Sequence, residues 1–302
     1  MTRIHNCGEF GLIDALTKVL PLSKEVVRGA GDDTAVLKFT ADRYLLLTTD
    51  MLAQGVHFQK NAAPEMIGHK ALACNISDIA AMGGIPKHAV ISISVPKGYS
   101  PDFVKRLYNG IRSLARRFEV NIVGGDTIRA SQLVINVALT GEVRRKDLVL
   151  RKGACQGDWI FTTGALGRAW KTDRHLTFTP RVDEARFLVK NFKPSAMIDI
   201  SDGLVADLGH ILEQSHVGAR LFEDEIPLNS GAKLDNALYD GEDFELVFTL
   251  RPDKAKALIA WQEKNSRWFF YPIGEVTRKK GISLITRDNK QKKVVIKGFT
   301  HF

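Results

Sequence analysis

The sequence predicts an α/β protein of two domains, and three observations carry that reading. Its 302 residues are 44% hydrophobic, enough to bury a substantial core in one large or two ordinary domains. Apolar runs of strand length alternate with segments of helical periodicity. A charged stretch, Arg144-Arg145-Lys146-Asp147, interrupts that alternation and divides residues 1–146 from residues 147–302.

Residues 9–20 set Phe10, Ile13, Leu16 and Leu20 at helical spacing, and Pro21 stops the helix. The turn Gly29-Ala30-Gly31-Asp32-Asp33 leads into a strand over 34–39 and a second over 44–49, which runs into Thr48-Thr49-Asp50. Residues 51–59, with Gly55, His57 and Phe58, read as irregular. Pro64 opens a helix reaching about Met82. Ala71, Ala73, Ala80 and Ala81 keep it thin enough to pack closely, and Asn75 and Asp78 share one face. Gly83-Gly84 and Pro86 end it, and 88–95 alternates as a strand. Ser100-Pro101-Asp102 starts a helix with a cap residue, Pro at the first position and an acid. Its stripe is Phe103, Leu107, Ile111, Leu114 and Phe118. A strand from Val120 into Gly124-Gly125-Asp126, and another over 133–143, complete the first half.

The second half opens with a strand over 159–163 and a helix over 181–189. The strand 196–200 feeds Ser201-Asp202-Gly203 and a helix to about Ser215, with a strand near Arg220 after it. Phe244-Glu245-Leu246-Val247-Phe248 alternates as a strand, residues 252–265 are helical, and 269–296 reads as strands. Asp207 and Asp243 read as helix and strand surface charges.

The net charge is +9, but the basic residues are dispersed. The dense patches, Arg278-Lys279-Lys280 and Lys290-Gln291-Lys292-Lys293, read as a solvated face and not a nucleic-acid groove. No apolar run approaches the ~18 residues of a membrane span, and the first eight residues lack a secretory apolar region. Cys7, Cys74 and Cys155 form neither zinc spacing nor a disulfide framework, which fits a reducing cytoplasm.

The chain is basic, yet acids gather where apolar runs end, at Asp32-Asp33, Asp50, Asp126, Asp199 and Asp202. Crowded carboxylates raise one another's pKa unless a cation lies between them, and hard divalent cations take oxygen ligands. Gly-Gly turns nearby free backbone N–H groups for phosphate. No Gly-x-x-x-x-Gly-Lys-Ser/Thr, Val-Ala-Ile-Lys or His-Arg-Asp motif is present, so neither a P-loop nor a protein-kinase site is expected. The EF-hand pattern is absent too. A glycosidase would need only two carboxylates; more acids than that, near Gly-Gly turns, suit a polyphosphate held by several magnesium ions.

The segments Gly8-Glu9-Phe10-Gly11-Leu12-Ile13, Gly31-Asp32-Asp33, Thr48-Thr49-Asp50, Gly55-Val56-His57-Phe58, Asn75-Ile76-Ser77-Asp78-Ile79-Ala80-Ala81-Met82-Gly83, Gly124-Gly125-Asp126-Thr127, Asp199-Ile200-Ser201-Asp202-Gly203-Leu204, Gly241-Glu242-Asp243-Phe244-Glu245-Leu246 and Gly298-Phe299 follow one another along nearly the whole chain. In that order they resemble the thiamine-monophosphate kinases, of the superfamily that includes aminoimidazole ribonucleotide synthetase. The resemblance implies that superfamily's two-domain fold, with an N-terminal domain pairing its sheet in a homodimer and ATP near the interface. It implies transfer of the ATP γ-phosphoryl group to thiamine monophosphate, giving thiamine diphosphate. By residue matching it implies Mg²⁺ ions at Asp33, Thr48, Thr49, Asp50, Asp78, Asp126, Asp199 and Asp202. ATP would be contacted by Tyr108, Gly125, Asp126, Arg151 and Ser201, with Asp50, Asp126 and Arg151 catalytic. His57, Glu242 and Phe299 would contact the thiamine moiety.

Three places depart from the family pattern. Asp240 stands where a glycine is usual, residues 164–178 are shorter, and Ile128 replaces a hydroxyl residue. The rival readings are an ATP-dependent synthetase of the same superfamily, a nucleotide-binding paralogue without turnover, and a basic nucleic-acid binder.

Overall fold

The computed structural model describes residues 8–299; Cys7 and the closing Thr300-His301-Phe302 lie outside them. The first half comprises α1 (Gly8–Thr17), β1 (Val26–Arg28), β2 (Ala35–Lys38), β3 (Arg43–Ala53), α2 (Pro64–Ala81), β4 (Ile85–Ser94), α3 (Pro101–Arg117), β5 (Asn121–Ile128) and β6 (Val134–Arg144). Its six strands lie in the order β1-β2-β3-β6-β4-β5. The second half comprises β7 (Trp159–Thr162), α4 (Val182–Asn191), β8 (Ala196–Asp199), α5 (Leu204–Ser215), β9 (Gly218–Phe222), α6 (Leu234–Tyr239), β10 (Leu246–Leu250), α7 (Pro252–Gln262), β11 (Tyr271–Thr277), β12 (Gly281–Ile285) and β13 (Gln291–Val294). Its seven strands run β13-β12-β9-β11-β7-β10-β8.

The helix starts follow local chemistry. The Ser100 hydroxyl accepts the Phe103 N–H at 3.1 Å, as the cap sequence requires. The thin face of α2 meets α3 at backbone distance: a Cβ on Gly68 would lie 2.0 Å from the Leu107 carbonyl oxygen, and one on Gly110 1.9 Å from that of Glu65. Any side chain at either position would force the helices apart, so α2 is held rigidly.

Three expectations are corrected. β3 does not stop at Thr49, and 51–53 are not irregular, because β6 pairs with β3 all the way from Arg43 to Ala53. Asp50 and Asp126 therefore sit within strands and not at their tips. β10 is buried along its whole length instead of alternating, since it lies between β7 and β8 with apolar packing on both faces. The short α6, only 6 residues, carries no readable periodicity.

One apolar core crosses the two halves, joining Leu46, Ile76 and Ile79 to Phe161, Leu188 and Phe248. A second packs α5 against the other face of the second sheet, around Ile160, Ile198, Leu208 and Val247. The outward face and edge of the first sheet carry exposed Leu47, Met51, Val90, Val123 and Ile128. Among the described residues, no helix is long and apolar enough to cross a membrane.

Candidate active site

The two halves enclose a cavity of about 730 Å³. α2 forms one wall, with Lys70, Cys74 and Asp78 each one turn apart on the same face. Asp50 arrives from β3, Asp199, Ser201 and Asp202 from β8 and the loop after it, and Glu242 from the loop before β10. His57 and Phe299 line the same space.

At one end the carboxylates of Asp33, Asp78 and Asp199 place oxygens within 4.8 Å of one another. Burial, then the charges of Asp50, Asp199 and Asp33, push Asp78 well above the ordinary carboxylate range. Burial and Asp33 raise Asp199 to about 8, and burial and Glu242 raise Asp50 to about 6. Neutral donors hold the cluster open: Thr48 Oγ1 donates to Asp78 at 2.5 Å, and Ser77 Oγ to Asp199 at 2.5 Å. The Asn75 side-chain oxygen accepts the Asp50 N–H at 3.2 Å. Arg151 Nη2 donates to Asp33 Oδ1 at 2.8 Å, while Asp33 Oδ2 is buried without a hydrogen-bond partner. An all-oxygen set, crowded and with one oxygen unsatisfied, fits a hard divalent cation.

The other end is built differently. The Lys70 side chain is fully buried, and its ammonium donates to the His57 carbonyl at 2.8 Å and pairs with Glu242 Oε2 at 2.5 Å. His57 Nδ1 accepts the Ala53 N–H at 3.0 Å, which fixes the turn after β3. Glu242 and Phe244 both adopt left-handed backbone, at φ 70° and 51°. Their N–H groups donate to the Ser201 and Ile200 carbonyls at 2.7 and 2.8 Å, so the loop is fastened to the end of β8 despite that strain. Phe299 is tied by its N–H to the Asp202 carbonyl at 3.1 Å. A Cβ on Gly298 would come within 2.5 Å of that same carbonyl oxygen, so glycine is needed there.

The cavity thus gathers Thr49, Asp50, His57, Asp78, Asp199, Ser201, Asp202, Glu242 and Phe299, with Asp33 joining the acid cluster. Arg151 reaches it through Asp33, and is itself partly buried while the carboxylate it holds is fully so. Thr48 faces Asp78, but the Thr49 hydroxyl turns the other way, donating to the Val137 carbonyl at 3.1 Å. Tyr108 is half-buried on α3 against the first core. Gly125 and Asp126 lie on the exposed edge strand β5, where Asp126 is in register with Ser92 and its carboxylate accepts the Thr127 N–H at 2.8 Å.

Asp207 and Asp243 are not surface charges; both are buried. Gly203, before α5, has no side chain to cap the helix, and Asp207 supplies the acceptor from inside, taking the Asp202 and Gly203 N–H groups at 3.0 and 3.1 Å. Asp243 accepts the Gly167 N–H at 2.8 Å and pairs with Arg174. Asp32, which the sequence places among the gathered acids without a role, and Lys70 and Trp170, which it does not mark, also belong here. Asp32 accepts the Arg151 N–H at 2.9 Å, and the other two face the cavity. Asp32 stood in the Gly31-Asp32-Asp33 signal; a lysine on a helix and an isolated tryptophan carry none.

The family models named AIR synthase related protein, N-terminal domain and C-terminal domain, match residues 31–143 and 164–287. A thiamine-monophosphate kinase from Aquifex aeolicus is 34% identical, covering 99% of this chain and 100% of the relative. One from Bacillus subtilis is 33% identical over 97% of this chain and 99% of its own. The solved structure described as AaThiL complexed with AMPPCP and TMP superposes with a TM-score of 0.86 at 34% identity, covering 100% of this chain and 99% of that one. The hydrogenase maturation protein HypE in complex with ATP, at 19% identity, TM-score 0.72 and 99% coverage of both chains, shares the fold. With identity above 30% running through whole relatives, and both domain models matched in chain order, the chain belongs to the thiamine-monophosphate kinase family.

Proposed function

We propose that the protein transfers the γ-phosphoryl group of ATP to thiamine monophosphate, forming thiamine diphosphate and ADP. The observation that carries this is one cavity with two unlike ends, a crowded carboxylate cluster and a recess around Lys70 and Glu242. An oxygen of the acceptor phosphate attacks the γ-phosphorus as the bond to the β–γ bridging oxygen breaks, and ADP leaves with that oxygen. Such a transfer depends on positioning and charge neutralisation more than on a covalent protein group.

Asp33, Asp50, Asp78, Asp199 and Asp202 would hold Mg²⁺, which when bound neutralises charge on the phosphate oxygens. Arg151 and Ser201 are proposed ATP contacts, and Arg151 aims Asp33 and opposes the upward push of burial on its carboxyl. Glu242 faces the thiazolium cation, with His57 and Phe299 beside it. Asp50, Asp126 and Arg151 remain the proposed catalytic groups. The apolar outward face of the first sheet supports a homodimer, with the division between domains at residues 146 and 147. A second copy seated there would cover Thr49 and β5, bringing Gly125 and Asp126, with Tyr108 on the helix before them, into the nucleotide site. Cys74 and Cys155 form no disulfide, in keeping with a cytoplasmic enzyme.

Incubation with ATP, Mg²⁺ and thiamine monophosphate is expected to yield thiamine diphosphate and ADP in equal amounts, without free phosphate. ADP and phosphate alone would overturn this in favour of a phosphate-releasing synthetase.

Magnesium also has an expected signature in stability. An acid whose pKa is raised by folding binds its proton more tightly in the folded state. Its stabilisation is fully present below the unfolded pKa and is lost as pH rises through the folded value, about 6 for Asp50 and about 8 for Asp199. Saturating Mg²⁺ should therefore raise Tm more at about pH 8.5 than at about pH 6. Equal shifts at both would count against metal binding by these acids.

A further inference from the structure

Two of the sequence departures meet in space. Asp240 Oδ2 accepts the Arg168 N–H at 3.2 Å, and Arg168 lies in the shortened segment, two residues before Trp170. That segment is pinned at further points to the loop carrying Glu242. Asp243 accepts the Gly167 N–H at 2.8 Å and pairs with Arg174, and the Phe178 ring stacks on Phe244 with centroids 4.1 Å apart.

The result of this fastening is the placement of one indole. Trp170 lines the cavity and is 37% exposed. His175 stacks on it with centroids 4.4 Å apart and planes 22° from parallel. The buried His175 ring donates from Nδ1 to the Ala169 carbonyl, and desolvation, then Lys70, lowers its pKa to about 4, so it backs the indole as a neutral ring. The Lys70 ammonium lies 5.7 Å from the indole centroid, which places Trp170 at the Lys70–Glu242 end of the cavity. Lys70 and Glu242 offset one another in charge, and Asp240 adds a further carboxylate to the lining.

A large aromatic face, backed by a neutral ring and with the carboxylates of Glu242 and Asp240 in the same lining, suits a flat ring with delocalised positive charge. We infer that Trp170 is a specificity-determining residue for the acceptor, the wall against which its cationic heteroaromatic ring packs, with Asp240 holding that wall in place. The inference rests on thiamine monophosphate being the acceptor and adds to that reading a residue and a cause for the rebuilt segment.

The test is steady-state kinetics on wild type, Trp170→Ala, Trp170→Phe and Asp240→Ala, with a fluorescence titration by thiamine monophosphate alone. Trp170→Ala is expected to raise KM for thiamine monophosphate about tenfold or more, with KM for ATP unchanged and kcat within about twofold. Trp170→Phe should recover most of the loss. Asp240→Ala should shift the same constant by a smaller factor. Thiamine monophosphate should quench wild-type emission, and the quench should be lost in Trp170→Phe. An unchanged KM for the acceptor in Trp170→Ala, a parallel rise in both KM values, or a quench that survives in Trp170→Phe would overturn the assignment. Failure of wild type to form thiamine diphosphate would instead overturn the function on which it rests.

Discussion

Asp78→Asn is expected to reduce turnover by on the order of a thousandfold while leaving the metal-free fold as stable as before, or more so. The two effects have one origin. In the absence of a cation, the Asp78 carboxylate is held well above its ordinary pKa by burial and by Asp50, Asp199 and Asp33. Ionising it there is unfavourable, so a neutral side chain of the same shape relieves the cluster. The amide oxygen of the substituted side chain can still accept the Thr48 hydroxyl that now donates to Asp78 at 2.5 Å. With one charge gone, the remaining acids lose affinity for Mg²⁺, and charge on the transferring phosphoryl group goes unneutralised. The check is kcat together with Tm in the presence and absence of Mg²⁺. Near-normal turnover, or a metal-free Tm well below wild type, would show that Asp78 is a structural acid.

The second large effect belongs to the other end of α2. Lys70→Met should destabilise the protein by about 3–5 kcal/mol, because it leaves Glu242 without its buried counter-charge. The Lys70 and Glu242 side chains are only 1% and 21% exposed, so solvent screens the pair little. Lys70→Met combined with Glu242→Gln should recover a substantial part of that loss, since no unpaired charge remains. Denaturant unfolding of the two single variants and the double variant closes the cycle. A single-variant loss below about 1 kcal/mol would mean that the pair behaves like a surface ion pair.

Function is legible in this sequence where the signal is local. Ser100-Pro101-Asp102 opens α3 because capping is decided within four residues. Asp78 was legible as a functional acid because a carboxylate on an alanine-lined helix face needs a partner. Apolar runs beside Asp33 and Asp199 pointed to a shared acidic site, and both residues lie in it. What escaped was set by partners far away in sequence. Lys70 resembles any solvated helix lysine until Glu242 closes over it. Asp207 and Asp243 looked like surface charges because their acceptor roles depend on a side-chain-less Gly203 and on the loop at Gly167. Thr49 faces away from Thr48 and Asp50 because β3 continues as an extended strand, and side chains alternate along it. That continuation is dictated by β6, more than 80 residues later.

The Ser77–Asp199 hydrogen bond ties α2 to β8 across 122 residues of chain. A contact at such separation carries a large loop-closure cost, which the docking of both sheets around α2 must offset. The acid cluster therefore comes into being only once both sheets stand and have docked around α2. A half-folded chain carries its carboxylates apart, each with an ordinary appetite for protons and none of the crowding that favours a divalent ion. The site proposed to hold metal is thus a property of the assembled fold and of no shorter piece of the chain.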